Sequence, residues 1–151
     1  NFKISIDIQC NHNAHPYDGQ YYNIFHVTKG ENYGSFGDRI FAVWQHPNER
    51  GKLRVVFNKS GSSPFFVRSL NLECTDLQWN TYSVTQRVLQ SNTSKTRTYM
   101  KKDGTQIAWE EMPTSTANSL TNEQVKVYLA NPWGPTATGY NVRNFFIERL
   151  D

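Results

Sequence analysis

Apolar and polar residues alternate strictly at the start of the chain. Phe2, Ile4, Ile6 and Ile8 fall on one parity, and Lys3, Ser5, Asp7 and Gln9 on the other. That two-residue period predicts a strand with one buried face, because successive side chains of an extended chain point to opposite sides. Further strands are predicted at 22–28, 39–46, 52–59, 65–72 and 79–89, separated by turns containing Gly, Asn or Pro. In 39–46 apolar residues occupy both parities, which predicts a central strand covered on both faces. The run 96–112 reads as a hairpin closed by Asp103-Gly104, a pair suited to the positive-φ positions of a tight type I′ turn. Segments 125–130 and 140–149 bring the total to about ten strands. No window sustains a helical period, and 116–123 has room for one helical turn at most.

Strands at this spacing with little helix between them predict an all-β fold, an antiparallel two-sheet β-sandwich or jelly roll. A length of 151 residues fits one domain, 1–151, with its own core. Hydrophobic content is 37%, low for a globular domain, but aromatic residues at 14% supply the missing core volume. The net charge of +3 is spread along the chain, so the clustered Lys/Arg footprint of a nucleic-acid binder is missing. No apolar run approaches the ~18 residues needed to span a bilayer.

Two features bear on compartment. The only cysteines, Cys10 and Cys74, form an even pair that permits one disulfide. Asn58-Lys59-Ser60 and Asn92-Thr93-Ser94 are N-glycosylation acceptor triplets, at Asn58 and Asn92. Together they lead us to expect a secreted, extracellular, oxidised chain.

The order of these strands resembles a family. FKISIDI is followed by YNIFHVT, a Gly-Asp loop into RIFAVW, a strand opening on Trp79, the hairpin KKDGTQIAW and the closing VKVYLANPW and ATGYNVRNFFIERL. Residues Trp79, Tyr82, Val84, Asp103, Gly104, Gly139, Val142, Asn144, Phe145 and Ile147 carry the likeness. It is similar to the concanavalin A-like sandwiches, specifically the laminin-G-like and galectin-like extracellular domains. The resemblance covers nearly the whole chain, but its motifs are patterns of fold. It implies two stacked antiparallel sheets with the first and last strands as neighbours. It also implies glycan, protein or matrix binding, with a calcium ion in some relatives.

Glycoside hydrolysis, the enzyme activity this fold group offers, needs two carboxyl groups flanking the scissile bond. Hydrolases of this fold group carry Glu-x-Asp-x-Glu on one strand. No such stretch exists here, and the adjacent Glu110 and Glu111 point to opposite faces. The expectation is therefore that the chain is not an enzyme.

His12 and His15 beside Cys10 are too few for a zinc site and read as a polar loop. Asp18 and Asp38, in Gly-rich loops, are the candidates for calcium, with turn formation as their other role; no cofactor is required. Of the four tryptophans, Trp44 and Trp79 are expected in the core. Trp109 shares parity with both Ile107 and Glu111, leaving its burial open. Trp133, in the loop NPWGP, either seals one end of the sandwich or offers its ring to a ligand. Tyr17, Tyr21 and Tyr33 form a second aromatic-rich region. The expected ligand-binding set is Trp133, Tyr17, Tyr21, Tyr33 and Trp109. The expected function is a non-catalytic extracellular recognition module that binds carbohydrate. The alternatives are a carrier of an apolar or conjugated small ligand such as a pigment, and a self-associating structural or adhesion domain.

Overall fold

The structure is a computed structural model that describes residues 1–14, 18–29, 39–58, 67–114, 125–130 and 137–151. Among them are ten strands and one 3-10 turn, η1, at His12–Ala14. The strands are β1 (Phe2–Cys10), β2 (Tyr22–Thr28), β3 (Phe41–Gln45), β4 (Lys52–Asn58) and β5 (Val67–Glu73). They continue with β6 (Trp79–Leu89), β7 (Asn92–Lys102), β8 (Thr105–Pro113), β9 (Lys126–Leu129) and β10 (Tyr140–Arg149). The expected helical turn at 116–123 lies outside the described residues.

All strand pairs are antiparallel. The first sheet runs β10-β1-β6-β7-β8 and the second β5-β4-β3-β2-β9. The two-sheet sandwich is thus as expected, and so is the pairing of the first and last strands. The alternation of β1 is used as written: Phe2, Ile4, Ile6 and Ile8 enter the core. They meet Phe25, Val27, Phe41, Val43, Leu53, Val55 and Phe57 of the second sheet, with Tyr82, Val84 and Met100 completing the first sheet's inner face. Every residue of β3 is buried. Its outward pair Ala42 and Trp44 forms a small separate cluster with Val56. Trp44 is therefore buried as expected, but on the outer side of the second sheet.

Two local features set the register. Asp103 and Gly104 both have positive φ, 49° and 80°, as the β7–β8 turn requires. In β10, register slips by one residue between Phe146, opposite Ser5, and Arg143, opposite Asp7. Asn144 takes the left-handed conformation of this bulge (φ 50°). The slip turns Phe145 toward the second sheet, where its ring lies 5.2 Å from that of Phe25.

Cys10 and Cys74 are disulfide-bonded across a sequence separation of 64. Cys10 ends β1 in the first sheet and Cys74 directly follows β5 in the second, so the bond ties the two sheets together at one end. The η1 turn packs there. His12 donates from Nε2 to the Cys74 carbonyl (2.8 Å), and its backbone N–H donates to Asp76 Oδ1 (2.8 Å). His12 thus belongs to a hydrogen-bonded polar loop.

The crosslink restricts the unfolded chain over a long loop. Replacing both cysteines by alanine is expected to lower the unfolding free energy by about 2–5 kcal/mol. Equilibrium urea denaturation of the two proteins measures this, and equal midpoints would refute it.

Candidate functional site

The outer face of the first sheet is ordered by its register. One cross-strand row runs Phe146, Ser5, Ser83, Lys101, Gln106 from β10 to β8. The next runs Glu148, Lys3, Thr85, Tyr99, Trp109, and a third, shorter row pairs Arg87, Arg97 and Glu111. Small hydroxyl side chains therefore occupy the middle of the sheet while long ones rise around them. The result is an open groove of about 550 Å³, with Ser5, Thr81, Ser83 and Thr85 on its floor. Lys3, Arg87, Tyr99, Lys101 and Gln106 stand around them. Three cations thus come from three adjacent strands, β1, β6 and β7; among the described residues no Asp or Glu lines the groove, and Glu148 lies beyond Lys3 on β10.

The charges flanking the groove are mutually satisfied. Glu111 accepts from Lys95 Nζ (2.8 Å) and Arg97 Nη2 (2.9 Å). These two bonds hold the Glu111 carboxyl below the usual range, and the same carboxylate raises Arg97. Arg97 lies over the ring of Trp109 at 4.6 Å. On the other flank, Asp7 accepts from Thr81 Oγ1 (2.6 Å) and Asn144 Nδ2 (2.8 Å), with Arg143 Nε at 3.5 Å. Burial works to raise the Asp7 pKa, but these three partners outweigh it and the net shift is downward. Arg143 in turn covers Trp79 at 4.0 Å. Trp79 is half-buried on this outer face, which corrects the expectation of a core position: it pairs with Gln9, an outward residue of β1.

Of the expected ligand-binding set, Trp109 and Tyr21 are among the described residues. Trp133, Tyr17 and Tyr33 lie outside the described residues, as does Asp38. Trp109 is 49% exposed, beside Tyr99 at the β8 edge of the first sheet. Tyr21 is 39% exposed but belongs to the second sheet's side, under the guanidinium of Arg54 at 4.8 Å and edge-on to His46 at 5.9 Å. The two aromatics are on opposite sides of the sandwich. Asp18 accepts from the Gln20 backbone N–H (3.1 Å) and from the Tyr22 hydroxyl, the bonds of a turn. No group of three His, Cys, Asp or Glu side chains placed to hold a metal occurs among the described residues. Asn58 is the last residue of β4, its backbone opposite Val67, and Asn92 opens β7.

Sequence reading missed Lys3, Arg87, Tyr99 and Lys101. Their signal was present as outward parity beside inward Ile4, Val84 and Met100. Nothing in the order of the chain says that β1 and β6 are neighbours.

No protein-family model matches the chain. No curated protein matches it in sequence. Among solved structures it is similar to an endo-β-1,4-glucuronan lyase from the fungus Trichoderma reesei, with a TM-score of 0.52 and 11% identity. The match covers 99% of this chain and 68% of that one. At this identity the likeness shows the fold alone, a two-sheet β-sandwich, and does not show the laminin-G-like or galectin-like family. It also corrects the expectation of a non-catalytic recognition module. That expectation rested on the missing carboxylate pair of hydrolases, and a lyase built on the same sandwich removes the premise. The alternatives, a carrier read from aromatic content and a two-sided apolar strand and a self-associating domain read from a sheet edge or face, gain no support from an enzyme of the same fold. Against the carrier, the floor of the first-sheet groove is hydroxylic rather than apolar.

Asp7 supplies a test of how this face is held. Its folded pKa is depressed, so its stabilising contribution is present above the unfolded pKa and lost as pH falls through the folded one. Asp7→Asn is expected to cost about 1–3 kcal/mol at neutral pH, the scale of hydrogen bonds to a charged group. Urea unfolding should show the gap to wild type closing on acidification below the ordinary carboxylate range. A gap independent of pH would contradict the assignment.

Proposed function

We propose that the protein engages an acidic polysaccharide in the groove of the first sheet and cleaves it by β-elimination. The observation that carries this reading is the lining itself: Lys3, Arg87, Lys101 and Tyr99 over a floor of Ser and Thr, with no carboxylate among the described lining residues. A chain of uronate sugars presents a carboxylate on each residue and hydroxyls along its edges. The cations meet the first, and Ser5, Ser83, Thr85 and Gln106 can hydrogen-bond the second. The glucuronan lyase fold neighbour supports the same substrate class.

Elimination asks less of carboxylates than hydrolysis does. Removal of the proton next to the uronate carboxyl builds negative charge on that carboxyl, and a nearby Lys or Arg stabilises it as it develops. Departure of the 4-linked oxygen needs a proton donor. Tyr99 is the candidate acid–base group because it lines the groove on the same face as Lys101. Its deprotonated oxygen would take the C5 proton as the C4=C5 bond forms and the C4–O bond breaks, and would pass that proton to the departing oxygen. Lys101, two residues along β7, points to the same face and is the candidate for holding the carboxylate. Gln106, opposite Lys101 on β8, has a donor and an acceptor for sugar hydroxyls. The Cys10–Cys74 bond supports placement in an oxidising compartment, and we read the protein as secreted.

Polyglucuronate incubated with the protein is expected to gain the ultraviolet absorbance of an unsaturated uronate end. Tyr99→Phe should reduce that rate by about 100-fold or more while the polymer still binds. Lys101→Ala should weaken binding, most visibly at low salt, where exposed charges are least screened. Binding with no unsaturated product would sink the catalytic half of the reading. No retention of any polyuronate at low ionic strength would sink it altogether.

A further inference from the structure

We infer that Asn92 carries an N-linked glycan. Asn92 opens β7 just after the tight turn from β6, and residues 92–95 are all exposed. Its side-chain oxygen accepts two hydrogen bonds from the third residue of the triplet: from Ser94 N at 3.1 Å and Ser94 Oγ at 2.6 Å. Both bonds use the same acceptor atom, so the carbonyl end of the amide is turned back on the chain. The Nδ2 end is left as the group presented outward.

This arrangement suits the chemistry of the transfer. Nδ2 forms a bond to the anomeric carbon of an oligosaccharide carried on a lipid diphosphate. The bond from that carbon to the diphosphate oxygen breaks, the diphosphate leaves with the electron pair, and one Nδ2 proton passes to a base of the transferase. The amide nitrogen is a weak nucleophile, because its lone pair is delocalised onto Oδ1. The Ser94 hydroxyl at that oxygen fixes the amide plane relative to the chain. Both bonds span two residues only and need no tertiary contact, so a newly made, unfolded segment can adopt them.

The folded chain then keeps the site open. The Thr93 carbonyl accepts from Thr114 Oγ1 at 2.9 Å, which pins the middle of the triplet from the β8 side without covering Asn92. Asn58, by contrast, is the closing residue of β4, with its backbone in register with Val67 of β5.

The test is expression of the whole chain through a eukaryotic secretory pathway. Enzymatic release of the glycan should lower the mass of the protein and convert Asn92, and that position at least, to aspartate, as read by peptide mass spectrometry. Asn92→Gln should remove one glycan step, and Asn58→Gln should leave that step in place. Ser94→Ala should abolish occupancy of Asn92 while Ser94→Thr keeps it, which guards against a variant that merely fails to leave the cell. A secreted protein without glycan at Asn92, or occupancy that survives Ser94→Ala, overturns the inference.

Discussion

The mutual burial of the two inner sheet faces is the constraint from which the outer groove follows. β1 shows how. It lies between β10 and β6, so both of its edges are paired, and its inward Phe2, Ile4, Ile6 and Ile8 are sealed against the second sheet. Each such side chain contributes about 1.5–3 kcal/mol relative to exposure. A one-residue slip would exchange these four for Lys3, Ser5, Asp7 and Gln9. The core therefore holds Lys3 and Ser5 on the outer face as firmly as it holds Ile4 inside. The same logic fixes Ser83 and Thr85 beside buried Val84, and Tyr99 and Lys101 beside buried Met100.

Where that alternation is broken, the break has a structural purpose. The bulge at Asn144 adds one residue to β10, which lets Phe145 reach Phe25 while Arg143 and Asn144 both meet Asp7. Asp7 also receives the Thr81 hydroxyl, so one carboxylate joins β10, β1 and β6 on the outer face. The disulfide performs the complementary task at the end of β1, linking the first sheet to the strand edge of the second.

Charge on the outer face is segregated. Glu111 gathers Lys95 and Arg97 at the β8 edge, and Asp7 engages Arg143 near β10. Lys3, Arg87 and Lys101 line the groove between these two ion-paired flanks, where the described lining residues include no acid. Under the proposed reading, an anionic ligand would meet these cations over the small hydroxyl residues in the middle of the sheet. Elimination does not call for the carboxylate pair that hydrolysis needs, and under the proposed reading a groove lined by cations suits a polyanion. The same composition supports opposite conclusions depending on the reaction considered.

By itself, the sequence determined the elements: a period of two, turn residues at the right offsets and two cysteines suffice for a ten-strand sandwich with one possible crosslink. The Asp103-Gly104 turn and the doubly buried β3 were legible because their causes are local, a positive φ and an apolar residue on both parities. Tryptophans were read less well, since Trp79 and Trp109 are placed by the strand beside them and not by their own neighbours in sequence. The groove was illegible for the same reason. Lys3, Arg87 and Lys101 are far apart in the chain, and only the strand order β1-β6-β7 brings them to one surface. That order is decided by which apolar faces can be buried together, an energy of the whole molecule that no short stretch of sequence contains.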